Sequence, residues 1–305
     1  MIITVTGASG FVGRRVVAKL LAGGHDVHVL GRRRPMGLPA AVAFSEWNAT
    51  VEPAPASLAN SDAVIHLAGE PVAQRWTAAA KARIRSSRID GTRLLVNALA
   101  RLDPRPAVLV CASAIGIYGS RGDEILTEIS SPGVGFLADL VREWESRAQS
   151  AERLGIRVVR LRFGIVLGHG GALQKMLPTF RAGLGGRMGA GRQWVSWIHI
   201  DDAVGLTLFA MQNGTVSGAL NITAPNPVTN RDFTRELASV LRRPAVFPVP
   251  YLGLKLLFGE MADALVSSQR VLPKASEAAG YAFRYADVGP AIRDILGQKP
   301  GSEAQ

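Results

Sequence analysis

"VTGASGFVG", residues 5–13, sets Gly7, Gly10 and Gly13 in the spacing G-x-x-G-x-x-G between a β-branched apolar run and an amphipathic helical pattern. Each glycine meets a different need of a strand-to-helix turn that faces a pyrophosphate. Gly7 permits the tight turn, Gly10 lets the backbone approach the anion, and Gly13 lets the helix pack close to the sheet. The start of the helix then offers free N–H groups and a positive dipole end. A lone glycine triplet is weak evidence, but this one opens the chain, follows a strand and precedes a helix, which is the context of a dinucleotide site. Ser9, Phe11 and Val12 in the same turn join the three glycines as expected cofactor contacts.

Outward from this turn, the first 165 residues alternate short apolar runs with longer helical patterns. Residues 2–6, 25–30, 42–47, 62–68, 107–113 and 156–162 read as strands, the third being the least regular. Helical patterns cover Phe11 to Ala22, Ala78 to Leu102 and Phe136 to Leu154. Strands alternating with helices require parallel pairing through crossovers, and strands apolar on both faces require helices on both sides. The expected fold is therefore α/β, a doubly wound parallel-sheet Rossmann domain over residues 1–168. After residue 168 glycine, arginine and proline become frequent. Residues 169–305 are expected to form a smaller C-terminal substrate-side domain, with about 196–224 a candidate return to the Rossmann core. Helices are expected at Asp202 to Met211, Asn230 to Leu241 and Asp287 to Leu296, and disorder in the tail "GQKPGSEAQ".

Of the 305 residues, 48% are hydrophobic and 19% charged, a balance suited to a folded chain rather than a disordered one. The single cysteine, Cys111, excludes an internal disulfide and a cysteine-rich metal site, and its apolar surroundings suggest an inert buried thiol. The N-terminus lacks the apolar core of a signal peptide, and no run is long enough for a membrane helix, so a cytoplasmic location is expected with no membrane partner. The net charge of +11 comes mostly from arginines spread along the chain. Without a basic run interleaved with aromatics, that charge suits an anionic small molecule better than a nucleic acid.

Which dinucleotide binds is read at the end of the second strand, "VHVLGRRRP", residues 27–35. An NAD site usually places a carboxylate there for the ribose 2′-hydroxyl. Here Gly31 is followed by Arg32, Arg33 and Arg34, cations suited to a 2′-phosphate, so NADP(H) is expected. "HLAGEP", residues 66–71, ends the fourth strand, where loops line a dinucleotide crevice. Leu67, Ala68 and Gly69 are further cofactor candidates, and Glu70 a substrate-side one.

Together "TGASGFVG", "HLAGEP", "SAIGIYG", "LRFGIVLG" and "WIHIDD" stand in the order and spacing of the extended short-chain dehydrogenases/reductases. The chain resembles most the subgroup described as NAD-dependent epimerase/dehydratase-like, and the resemblance extends through residues 83–95 and 270–292. It implies cofactor contacts at Phe163 and Gly164, a small carbonyl or sugar-nucleotide substrate, and a homodimer paired through the two long helices. It also implies a serine after the fifth strand that polarises the substrate oxygen, with a Tyr-x-x-x-Lys helix exchanging the proton. Ser113 matches the serine. The dyad falls in "GFLADLVREWE", residues 135–145, on Phe136 and Leu140, which cannot do that chemistry.

Every tyrosine can be checked as a substitute. Tyr251 has Lys255 four residues on, but in the second half of the chain, where helical spacing explains the pair. Tyr281 and Tyr285 read as packing residues. Tyr118 follows Ser113 at the same strand edge. Two readings stay open for it, replacement acid or substrate contact, and without a lysine its pKa is expected near about 10. His199, Asp201 and Asp202 could suggest a metal, but strand alternation with Asp202 as a helix N-cap accounts for them, so no metal is expected. In "GLGGRMGAGRQWVSW", residues 183–197, Arg187 and Arg192 could hold an anionic substrate, with Gln193, Ser196 and Trp197 along the pocket, or the loop could simply be solvated. Two functions follow. One is an NADP(H)-dependent oxidoreductase or epimerase-like enzyme using Ser113, with Tyr118 or water as the proton source. The other is a catalytically silent NADP(H)-binding sensor or scaffold.

Overall fold

A computed structural model describes residues 1–297; most of the C-terminal tail expected to be disordered lies outside the described residues. In chain order the strands begin β1 (Ile2–Thr6), β2 (Asp26–Gly31), β3 (Ala43–Glu46), β4 (Ala63–His66), β5 (Val108–Ala114), β6 (Ile125–Leu126) and β7 (Arg157–Phe163). They continue with β8 (Ile165–Gly168), β9 (Trp194–Val195), β10 (Trp197–His199), β11 (Gly218–Ile222), β12 (Val228–Thr229) and β13 (Arg270–Val271). Seven of these form one sheet in the order β11-β7-β5-β4-β1-β2-β3, every neighbouring pair parallel. The order reverses direction between β1 and β4, which makes that gap the switch point of a doubly wound Rossmann sheet.

Helices cover both faces because β-branched and leucine side chains project from both. On one face α1 (Phe11–Ala22) packs over β1 and β2, in one core cluster with Val5 and Val29. On the other, α2 (Ala78–Ala100) and α3 (Phe136–Gln149) enclose Val64, Leu109 and Cys111. Cys111 is buried and burial pushes its thiol up to about 12, so it is an inert core residue. After α4 (Gly171–Arg181), α5 (Ile200–Gln212) returns to the first face beside α1 and leads into β11 at the sheet edge. α6 (Asn230–Leu241), α4 and a last helix, Val288–Ile295, build a separate core around Trp197, Leu237 and Ile292. Among the described residues no helix is long and apolar enough to cross a membrane.

Three local expectations change. The helix starting at Phe136 ends at Gln149 and continues as a 3-10 turn over Ser150–Leu154, stopped by the left-handed Gly155. The strand at Gly218–Ile222 has no counterpart among the strands read from the sequence, since Gly218 and Asn221 interrupt its apolar run. The cap of α5 is His199, whose Nδ1 accepts the Asp201 N–H, rather than Asp202. Asp202 instead accepts the backbone N–H groups of Arg284 and Tyr285, each at 2.9 Å, and so ties the C-terminal segment to α5.

Candidate active site

The sheet order opens a cleft of about 290 Å³ at the switch point, above the carboxyl ends of β1, β2 and β4. Its floor is the glycine turn. Gly7 has φ +74°, and a Cβ there would lie 2.5 Å from the Leu67 carbonyl carbon, so only glycine lets β1 and β4 close up. A Cβ on Gly13 would overlap the Gly7 carbonyl and force α1 off the turn. α1 starts at Gly10 without a side-chain cap and without an acidic residue in its first turn, leaving its N–H groups and dipole to an external anion.

Of the expected cofactor residues, Gly7, Ser9, Gly10, Arg32, Arg33, Leu67, Ala68 and Gly69 line this cleft, together with Glu70. Phe11, Val12, Gly13, Phe163 and Gly164 do not. Phe11 packs on the turn at Gly168–Gly171, Val12 and Phe163 lie against the core, and Gly164 allows close approach to the Ser196 carbonyl. Of the three arginines, Arg34 bonds the carbonyls of Pro39, Ala40 and Val42 in its own loop. Arg32 and Arg33 are exposed in the cleft and form no ion pair with any described residue. Trp47, Asn48, Ala49 and Ser87 also line the cleft and were not expected there. The first three follow β3, which reaches the site only by pairing with β2, and Ser87 arrives on α2.

Neither proposed catalytic hydroxyl faces this cleft. Ser113, 4% exposed, donates its one proton to Glu145 Oε1 at 2.6 Å, so it cannot also donate to a substrate carbonyl. Tyr118 is fully buried, donates to Asn221 Oδ1 at 2.7 Å and accepts from Arg162 Nη1 at 2.8 Å. Burial pushes its phenol above the ordinary value despite Arg162, correcting the unperturbed pKa expected from sequence. Arg162 closes the network through a two-pronged pair with Glu145, Nε to Oε1 at 2.8 Å and Nη2 to Oε2 at 2.9 Å. Burial alone would lower the guanidinium's pKa, but Glu145 outweighs it and holds Arg162 above the usual arginine range. These groups lie between the sheet and α3 and satisfy one another. On α3 itself, Phe136 packs edge-on against Trp76 and Leu140 is buried in the core.

The remaining candidates separate in the same way. Ser196 donates to the Gln269 carbonyl at 2.7 Å and accepts the Val271 N–H at 2.9 Å, and Trp197 is fully buried with its indole N–H on the Asn226 carbonyl. Both serve the packing of the C-terminal half rather than a pocket. Gln193 bonds the Met188 carbonyl within its own loop, while Arg192 is exposed. Tyr251 and Lys255 share Asp263 at the surface, which accounts for their spacing. His199, Asp201 and Asp202 do not converge on a common point, and no cluster fit for a metal ion occurs among the described residues. His66, beneath the cleft, sits between the hydroxyls of Thr6 and Thr92, and burial pushes it down to about 4, so it stays neutral.

Comparison with known proteins places this fold in a family. Residues 3–223 match the profile described as NAD dependent epimerase/dehydratase family, and residues 249–295 match a domain of unknown function (DUF1731). The chloroplastic epimerase family protein SDR39U1 homolog of Arabidopsis thaliana is 40% identical over an alignment of 309 residues, covering 97% of this chain and 87% of the relative. Epimerase family protein YfhF of Bacillus subtilis is 36% identical over 300 residues, covering 98% and 99%. The human epimerase family protein SDR39U1 (isoform 2), solved with NADPH, superimposes with a TM-score of 0.87 at 31% identity, over 97% of this chain and 99% of that one.

Proposed function

The chain belongs to the NAD-dependent epimerase/dehydratase family, and on that premise we propose that it is an NADP(H)-binding member that holds its cofactor without the family's acid–base step. NADP(H) would lie across the switch point, its pyrophosphate on the uncapped start of α1 and its 2′-phosphate between Arg32 and Arg33. The human relative solved with NADPH supports the choice of NADP(H) over NAD. When bound, the nicotinamide can give or take a hydride; the protein's own residues decide whether a proton can follow. Ser113 donates its O–H to Glu145, Tyr118 is sealed between Asn221 and Arg162, and Phe136 and Leu140 carry neither exchangeable proton nor charge. That commitment of both hydroxyls is the observation that carries the reading.

The alternative is a reductase that draws its proton from water and acts on a small carbonyl or sugar-nucleotide substrate. It is favoured by the exposed Arg192 and by Glu70 on the cleft wall, which could orient such a molecule. Stereospecifically deuterated NADPH separates the two. Under our reading deuterium stays on the nicotinamide across a panel of carbonyl compounds and sugar nucleotides. Stoichiometric transfer of deuterium to any of them would replace it with the reductase.

A further inference from the structure

Two neighbouring residues of α2 grip the backbone of one residue of the cleft wall, Glu70. Ser87 Oγ accepts the Glu70 N–H at 3.0 Å, and Arg88 Nη1 donates to the Glu70 carbonyl at 2.9 Å. The Arg88 guanidinium lies over the Trp144 ring, 5.2 Å from its centroid, and that ring is pinned by a 2.9 Å bond from its N–H to Thr92. Gly69 lies close on another side, where a Cβ would come within 3.1 Å of the guanidinium carbon. Gly69 is thus the residue that admits the arginine. Arg88 also donates to the Ile84 carbonyl, and it forms no ion pair with any described residue. Burial pulls its pKa down to about 10, with the Glu70 carboxylate opposing the shift. The hydrogen bonds of this half-buried cation go only to carbonyls, with no carboxylate in direct contact, which favours a further anion or a strong dipole nearby.

Its place in the sheet says which part of a dinucleotide it would meet. The two halves of a dinucleotide lie over the two halves of a doubly wound sheet. Arg32 and Arg33, after β2, mark the adenosine side; Gly69 and Glu70 follow β4 on the far side of the switch point. Toward α2, α3 presents Phe136, Leu140, Glu143 and Trp144, and two other α2 cations nearby are paired, Lys81 with Glu260 at 2.8 Å and Arg85 with Glu143.

We propose that Arg88 is the residue that positions the nicotinamide half of the cofactor, acting through the Glu70 backbone and through its charge, with Ser87 as its partner. The inference rests on the cofactor reading above. It makes the "SSR" of α2 part of the binding apparatus, although these residues lie far along the chain from the glycine turn at residues 7–13. Arg88 is a positioning residue, not a catalytic one.

Calorimetric titration of the full chain with NADPH and with adenosine 2′,5′-bisphosphate, which contains only the adenosine side, tests it. Arg88→Gln should weaken NADPH about tenfold, the effect of one charge-assisted contact, and leave the bisphosphate within about twofold. Arg88→Lys should recover most of the loss, since it restores the charge but not the planar stacking. Should Arg88→Gln not fold, Ser87→Ala carries the same test through a smaller NADPH-selective loss. Equal losses for both ligands, or none for NADPH, overturn the assignment. If the wild type binds neither ligand, the cofactor reading fails instead.

Discussion

At Tyr118 the phenol that looks in the sequence like a spare proton source has its hydroxyl proton and an acceptor site used inside the protein. Replacing it with phenylalanine strands Asn221 Oδ1 and one Arg162 N–H in a buried place. Tyr118→Phe should therefore cost about 1–3 kcal/mol of stability, read by urea unfolding. NADPH affinity should stay within about twofold, because the hydroxyl does not line the cleft; a large loss of affinity with unchanged stability would return Tyr118 to the site. Ser113 obeys the same logic, since a hydroxyl has a single proton to give. Cleft residues such as Gly7 differ in kind: there the backbone makes the site and the missing Cβ is the functional feature.

Helix α1 and helix α6 run from Phe11 to Ala22 and from Asn230 to Leu241, the limits their periodicity implies, because a glycine turn or a threonine cap marks each start. The end of α3 and the strand β11 were less legible. Over the 5 residues of Ser150–Leu154 a 3-10 turn, at about 3.0 residues per turn, is hard to tell from an α-helix, and β11 owes its place to pairing with β7 more than to its own composition. The cap of α5 was misread for a similar reason: Asp202 has a typical capping side chain, but a contact 82 residues away claims it. Asp202→Ala should leave the Arg284 and Tyr285 N–H groups without their acceptor. The expected cost is about 2–4 kcal/mol, with hydrogen exchange accelerated first in residues 281–292. Uniform exchange across the sheet instead would contradict a local tie.

On the scale of the whole molecule, the floor of the cleft was legible because it is local: a strand, three glycines and a helix within the first 22 residues. The arginines after β2 were legible for the same reason. The wall made by Trp47, Asn48, Ala49 and Ser87 was not, since those residues meet only once β3 has joined β2 and α2 has crossed the opposite face. Nor could the sequence say that Ser113 and Tyr118 are spoken for, because Glu145, Arg162 and Asn221 reach them from three separate elements. The molecule thus pairs an open cleft at the switch point with a closed polar network that does not line it. Selection of the 2′-phosphate by Arg32 and Arg33 is tested most directly by parallel calorimetric titrations of NADPH and NADH, repeated on Arg32→Glu. The expected result is NADPH at least about tenfold tighter, as a charge-assisted phosphate contact allows, with the preference lost in the variant. Equal affinity for the two cofactors, or an unchanged preference in Arg32→Glu, would contradict it.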